Sequence, residues 1–214
     1  MVGKQSNVAG SPGRPVDQQK LDQILDAVLE SFAEGDMHFT IEGTARRAGV
    51  SKGTIYRHFE NADALLRAAL ERLYEEMVGN GPDTAGSPGD VRAKLSALGL
   101  HLLDFLVSEQ GVRILRTVIA HGARHASHGE LIYQAGPVAF VQRAAEYLQQ
   151  AHQQGLIELD DPLLRAEQLI GMWKGSLVNG LLMNGRPIPD RAEKSYRVNS
   201  AIELLLKALA PPSG

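Results

Sequence analysis

TARRAGVSKGTIYRHF, residues Thr44–Phe59, decides how this chain folds. The stretch reads as two short helices joined at Gly49, a residue free to take the left-handed conformation that ends a helix. Ser51 can cap the helix that follows. Ala45, Ala48, Val50, Ile55 and Phe59 fall on the inward side, while Lys52, Gly53, Thr54, Tyr56, Arg57 and His58 stay outward or at the rim. The formal charges are all of one sign: Arg46, Arg47, Lys52 and Arg57, with no Asp or Glu between them. In a chain of net charge −3, a local basic helix-turn-helix points to the phosphates of DNA. The first helix of such a motif crosses the backbone and the second lays its N-terminal residues in the major groove.

Outward from this motif the pattern stays helical. Asp17 is placed to cap a stretch with Leu21, Ile24, Leu25, Val28, Leu29 and Phe32 at helical spacing, and Gly35 stops it. Thr40 is a good N-cap for the helix through Ala48, and Asn61 for a longer one carrying Leu65, Leu66, Ala69, Leu70, Leu73 and Met77. Gly79–Gly89, GNGPDTAGSPG, holds four glycines and two prolines and reads as a linker. Beyond it the spacing predicts helices over Asp90–Ser108, Gly111–Ser127, Glu130–Gln154 with a break at Gly136-Pro137, Pro162–Asn184 and Asp190–Ala210. No strand candidate survives. The expectation is an all-α chain: a basic tail over residues 1–16, a three-helix DNA-binding unit over 17–78, a linker over 79–89 and a helical bundle over 90–210.

A hydrophobic fraction of 43% supports a real core. The chain has no cysteine, which excludes disulfides and thiolate metal sites and suits a reducing, cytoplasmic setting. No apolar run approaches the roughly 18–20 residues of a membrane span, and the first sixteen residues lack the apolar core of a secretory signal. Hydrolase elbows, P-loops, dinucleotide fingerprints and metal-protease motifs are missing. The reading is therefore neither an enzyme nor a cofactor carrier.

Phe39–Leu70, with AGVS, then T-I-Y-x-H-F, then a capped helix with paired leucines, resembles the N-terminal domain of TetR-family transcriptional regulators. Gly111–Gly155 is similar to the C-terminal domain of AefR-like members. The resemblance implies a homodimer on a palindromic double-stranded operator, usually a repressor released by a small ligand in the C-terminal domain. The alternative reading is a ligand-independent DNA-binding adaptor or architectural protein. The resemblance makes Ser51–His58 the recognition helix, with Thr54 and Tyr56 at backbone-contact positions and Lys52, Gly53 and Arg57 at base-reading ones. Together with Thr40, Arg46, Ser51 and His58 these form the candidate DNA-binding set. Two departures stand out. Gly43-Thr44 replaces the family's polar-Ile pair, and a mid-helix glycine costs about 1 kcal/mol relative to alanine. Ala62 stands where many members carry a phosphate-binding Lys, which should lower the salt slope by about one unit.

In the bundle the candidate ligand pocket comprises His101, Phe105, Ile114, Val118, His121, Tyr133, Phe140, Met172 and Trp173, apolar and aromatic groups with a few polar ones to orient a ligand. The last two helices are expected to pair with their copies through Leu163, Ile170, Leu177, Leu181, Ile202, Leu205 and Leu209, with Gly171, Gly175 and Gly180 permitting close approach across the two-fold axis. Spacing of four would put His121 and His125 on one helical face, with His128 close by. No carboxylate or Cys completes a local metal set, so a charge interaction at a helix C-terminus is the expected role. Lys4 and Arg14, the latter within Pro12-Gly13-Arg14-Pro15, can form an arm for an adjacent minor groove; the alternative is a tail that touches nothing specific.

Overall fold

The computed structural model describes residues 16–36, 40–78 and 87–211 of the chain. Of the tail expected over residues 1–16 only Val16 is described, and it opens the first helix; the rest, with the minor-groove arm, and most of the linker lie outside the described residues. Among the described residues ten α-helices run in order: α1 (Val16–Ala33), α2 (Ile41–Ala48), α3 (Lys52–His58), α4 (Ala62–Val78), α5 (Pro88–Leu106), α6 (Glu109–Gly122), α7 (Ala126–Tyr133), α8 (Ala139–Gln153), α9 (Pro162–Leu182) and α10 (Arg191–Ala208). A single π turn over Gln134–Val138 joins α7 to α8. No strand occurs among the described residues.

Boundaries follow local chemistry, and most differences from expectation have a local cause. Asp17 lies inside the first turn of α1 instead of preceding it, where its charge favours the positive helix end. Ser87 caps α5 by accepting from the Asp90 amide, so Pro88 and Gly89 open that helix and do not belong to the linker. Ser108 caps α6 from Glu109, two residues earlier than expected. The helix expected over Gly111–Ser127 is two helices, because the chain turns at Ala123–His125. Gly122 and Gly129 meet across this hairpin; a Cβ on Gly129 would stand 3.2 Å from the Gly122 Cα. Pro137 is absorbed by the π turn, which dispenses with the amide that proline lacks. In α9, Gly175 breaks the helical path at φ 46°, ψ −142°, so this element is kinked.

Two cores form, and they do not divide at the linker. One gathers Ile24, Val28, Phe32, Ile55, Leu65 and Leu66 from α1, α3 and α4, but also Ile114 of α6 and Ile132 of α7. The other joins α5, α8, α9 and α10 around Leu95, Leu148, Leu169, Trp173, Leu177 and Ile202, and takes Val112 from α6. Val112 and Ile114 lie roughly 200° apart around the helix axis. α6 is therefore a shared wall, and Phe105 at the end of α5 packs against both cores. The Tyr74 hydroxyl adds a second tie, donating to the Ala139 carbonyl at 3.0 Å.

Tyr147 is buried beside Asp90, and burial, then the Asp90 charge, pushes its phenol up to about 12. The folded state holds this group neutral, so its stabilising contribution is intact below about pH 10 and is lost as pH rises through about 12. Of five tyrosines, Tyr147 should be among the last to ionise. A phenolate absorbance titration of wild type and Tyr147→Phe checks this: the variant should lack the step near pH 12. Loss of a step near pH 10 instead would contradict the buried placement.

Candidate nucleic-acid interface

The interface is assembled from caps. The Thr40 hydroxyl accepts from the Gly43 amide at 3.0 Å and starts α2. Gly43 is thus in the first turn and not mid-helix, where its propensity penalty shrinks. Gly49 ends α2 at φ 66°, ψ 28°, and the Val50 amide donates back to the Ala45 carbonyl at 3.0 Å. Ser51 accepts from the Thr54 amide at 3.1 Å and meets the Thr54 hydroxyl at 2.9 Å. Asn61 accepts from the Ala64 amide at 2.9 Å and starts α4. Ala45, Ile55 and Phe59 are buried, and Ala48 and Val50 pack against the same core. That anchoring leaves Lys52, Gly53, Tyr56 and Arg57 exposed on α3, with Thr54 half-buried. Tyr56 is 57% exposed and its hydroxyl has no hydrogen-bond partner among the described residues. His58 turns back toward Asp17, 3.4 Å away, and its side chain is mostly covered.

Acidic side chains meet three of the four cations. Arg57 Nη2 lies 2.5 Å from Asp17 Oδ1, and Lys52 Nζ lies 2.8 Å from Glu42 Oε1. Arg47 grips Glu34 with both terminal nitrogens, at 2.8 and 2.6 Å. Hydrogen bonds from Arg47 and Lys52 hold the Glu34 and Glu42 carboxyls below the usual range. Exposed Arg46 has no ion pair of this kind among the described residues. Sequence reading missed Asp17, Glu34 and Glu42. The Arg57–Asp17 pair spans 40 residues and the Arg47–Glu34 pair 13, far from any helical spacing rule.

Between α1 and α2 lies a cavity of about 390 Å³ lined by Ser31, Asp36, Thr40, Thr44, Arg46 and Arg47 among others. Thr44 is buried there and forms part of the lining.

The nine pocket candidates do not converge. Phe140 and Trp173 are buried in the bundle core, Ile114 and Val118 pack with the N-terminal core, and Phe105 touches both. His101, Tyr133 and Met172 are exposed. His121 is buried in the last turn of α6, with its Nε2 2.8 Å from His128 Nδ1. His125 follows the end of α6, so it does not share a helix face with His121; their rings lie 4.4 Å apart in a turn. His128 Nε2 is 3.6 Å from Asp63 at the start of α4. No group of three or more His, Asp or Glu among the described residues is arranged to hold a metal ion.

The expected dimer residues need the same correction. Ile170, Leu177, Leu181, Ile202, Leu205 and Leu209 fill the chain's own core, and only Leu163 is exposed. Periodicity marks the apolar face of a helix but not which neighbour covers it. Large apolar side chains left exposed on or beside α9 and α10 include Leu164, Met172, Met183, Ile188, Tyr196 and Leu204. Of the three glycines, Gly180 is covered by the Arg186 side chain and Gly175 faces Arg197, while Gly171 is open.

No helix among the described residues is long and apolar enough to cross a membrane. Two family models match the chain: "Bacterial regulatory proteins, tetR family" over residues 24–69, and "AefR-like transcriptional repressor, C-terminal domain" over residues 93–211. The HTH-type transcriptional regulator SrpR of Pseudomonas putida is 27% identical over 185 residues, which cover 85% of this chain and 82% of that protein. The HTH-type transcriptional regulator AcrR of Shigella flexneri is 31% identical over 121 residues, 55% of this chain and 56% of that protein. The fold is similar to that of a TetR transcriptional regulator from Agrobacterium tumefaciens, with a TM-score of 0.72 and 23% identity over 93% of this chain and 97% of that one.

Proposed function

We propose, for a chain that belongs to the TetR family of bacterial regulatory proteins, that it is a repressor whose hold on a palindromic operator is loosened by a small apolar or amphipathic effector. The observation that carries the DNA side is α3: a short, capped helix anchored by Ile55 that presents Lys52, Tyr56 and Arg57 to solvent. Lys52 and Arg57 suit guanine edges or phosphate, and the Tyr56 phenol suits a phosphate oxygen. The AefR-like match supports the sign of regulation.

Two copies of α3 about 34–36 Å apart would enter successive major grooves. The exposed Leu163, Leu164, Met172, Tyr196 and Leu204 supply apolar surface for pairing α9 and α10 with their copies. On the effector side, the Trp173 Nε1–H is buried in the bundle with no hydrogen-bond partner. Such a donor is costly when left alone, and a ligand acceptor would relieve it. An effector that prefers a splayed arrangement of the two α3 helices then lowers operator affinity by population shift.

Selection of bound duplexes from a random pool tests the DNA side, and a two-fold symmetric site should be enriched. On that site Tyr56→Phe should weaken binding about tenfold regardless of base sequence, the scale of a hydrogen bond to a charged group. Lys52→Ala should also flatten the preference at particular base pairs. Unchanged affinity in both variants would overturn the assigned helix. Quenching of Trp173, the single tryptophan, screens for effectors; compounds that bind without altering operator affinity would favour the ligand-independent adaptor.

A further inference from the structure

We infer that Asp17, Glu34 and Glu42 are built-in competitors of DNA: they occupy the DNA-facing cations and loosen the hold of this surface on phosphate, so that DNA held through phosphates alone is bound only weakly. The inference rests on the DNA-binding reading of α2 and α3.

The geometry has three parts. The acids come from α1, the turn after it, and α2, yet all three reach cations of α2 and α3. The Arg47–Glu34 contact is a two-pronged fork, the geometry with which arginine also grips phosphate. In each pair the acid is well exposed, at 58–68% for its side chain. Exposed pairs contribute little to holding a fold together. Their larger consequence is for an arriving polyanion. Each carboxylate offers a cation the same chemistry as a phosphate oxygen, and once the cation has moved the carboxylate is left to repel the backbone. Hydrogen bonds from Arg47 and Lys52 lower the Glu34 and Glu42 carboxyls further from an ordinary value already far below neutral, so both compete as carboxylates at neutral pH.

The penalty falls on every DNA sequence alike. A site that also satisfies base-edge contacts stays bound in spite of it, whereas random DNA, held through phosphates alone, is released. Arg46, without an acid of this kind among the described residues, is left to make first contact.

The test uses the full chain and a fluorescein-labelled duplex of random sequence, followed by anisotropy from 50 to 200 mM salt, values chosen to span a steep range of DNA affinity. The triple variant Asp17→Asn, Glu34→Gln, Glu42→Gln should bind the random duplex about tenfold more tightly, at about twofold per pair. Its log–log salt slope should steepen by up to about 0.9 for each cation released. The operator should tighten by about the same factor, because the penalty is common to both duplexes. If the triple variant melts early, the single variants Asp17→Asn and Glu42→Gln give the same comparison. A folded variant with unchanged random-duplex affinity and slope would overturn the inference and leave the acids as braces between helices. A wild type that binds no duplex even at 50 mM salt would instead overturn the DNA-binding reading itself.

Discussion

Gly111→Ala is expected to destabilise the chain by about 3 kcal/mol, the upper end of overpacking penalties. Gly111 is buried in the first turn of α6, where its amide donates to the Ser108 hydroxyl at 2.9 Å. A Cβ there would stand 1.9 Å from the Phe105 carbonyl oxygen and 2.9 Å from its carbon. Both are main-chain atoms, so no rotamer change makes room; the corner between α5 and α6 has to open. That corner carries Phe105, which touches both cores, and α6, which walls both. Melting should therefore fall by roughly 6–12 °C for a chain of this length, and DNA binding should weaken with it. Gly53→Ala is the control. Its Cβ would sit 3.7 Å from the Ser51 hydroxyl, an ordinary contact, so the fold should be unharmed while the approach of α3 to DNA suffers. Equal melting temperatures for Gly111→Ala and wild type would mean the corner is built differently.

Trp173→Ala should cost about 3–5 kcal/mol, as for other large aromatic truncations in cores. The indole is fully buried at the meeting of α5, α9 and α10. Its six-membered ring is so close to Gly99 that a Cβ on Gly99 would lie 2.8 Å from Cε2, and 2.9 Å from Val198 Cγ1. Trp173→Phe should lose less, because it also removes an N–H that has no partner. The same contact predicts coupling. Gly99→Ala should cost about 1–3 kcal/mol in wild type and clearly less beside Trp173→Phe, where the clashing ring edge is gone. Thermal unfolding followed by circular dichroism gives all four corners of the cycle. A cost for Gly99→Ala that is identical in both backgrounds would show that the indole is not what crowds this glycine.

Much of the fold was legible because much of it is local. Thr40, Ser51 and Asn61 each cap a helix by accepting from an amide three residues on, and Gly49 turns the chain with a conformation of its own backbone. Such signals are written within one turn of the residues that use them. The candidate DNA-binding surface was legible for the same reason: Ile55 buries one side of α3 and thereby exposes the other. By contrast, Ile170, Leu177 and Ile202 have the right spacing for a dimer face and lie instead in the chain's own core. The apolar stripe was correct and its partner was not, since burial by one neighbour or another leaves the same periodicity.

By itself, then, the chain determined most of its helices, several of their caps and the exposed face of α3, because those depend on hydrogen bonds and rotations a few residues long. Tertiary structure alone decided that α6 serves two cores. It also decided that a basic run with no acid in it is met by Asp17, Glu34 and Glu42, since Coulomb attraction acts across space and is indifferent to separation along the chain.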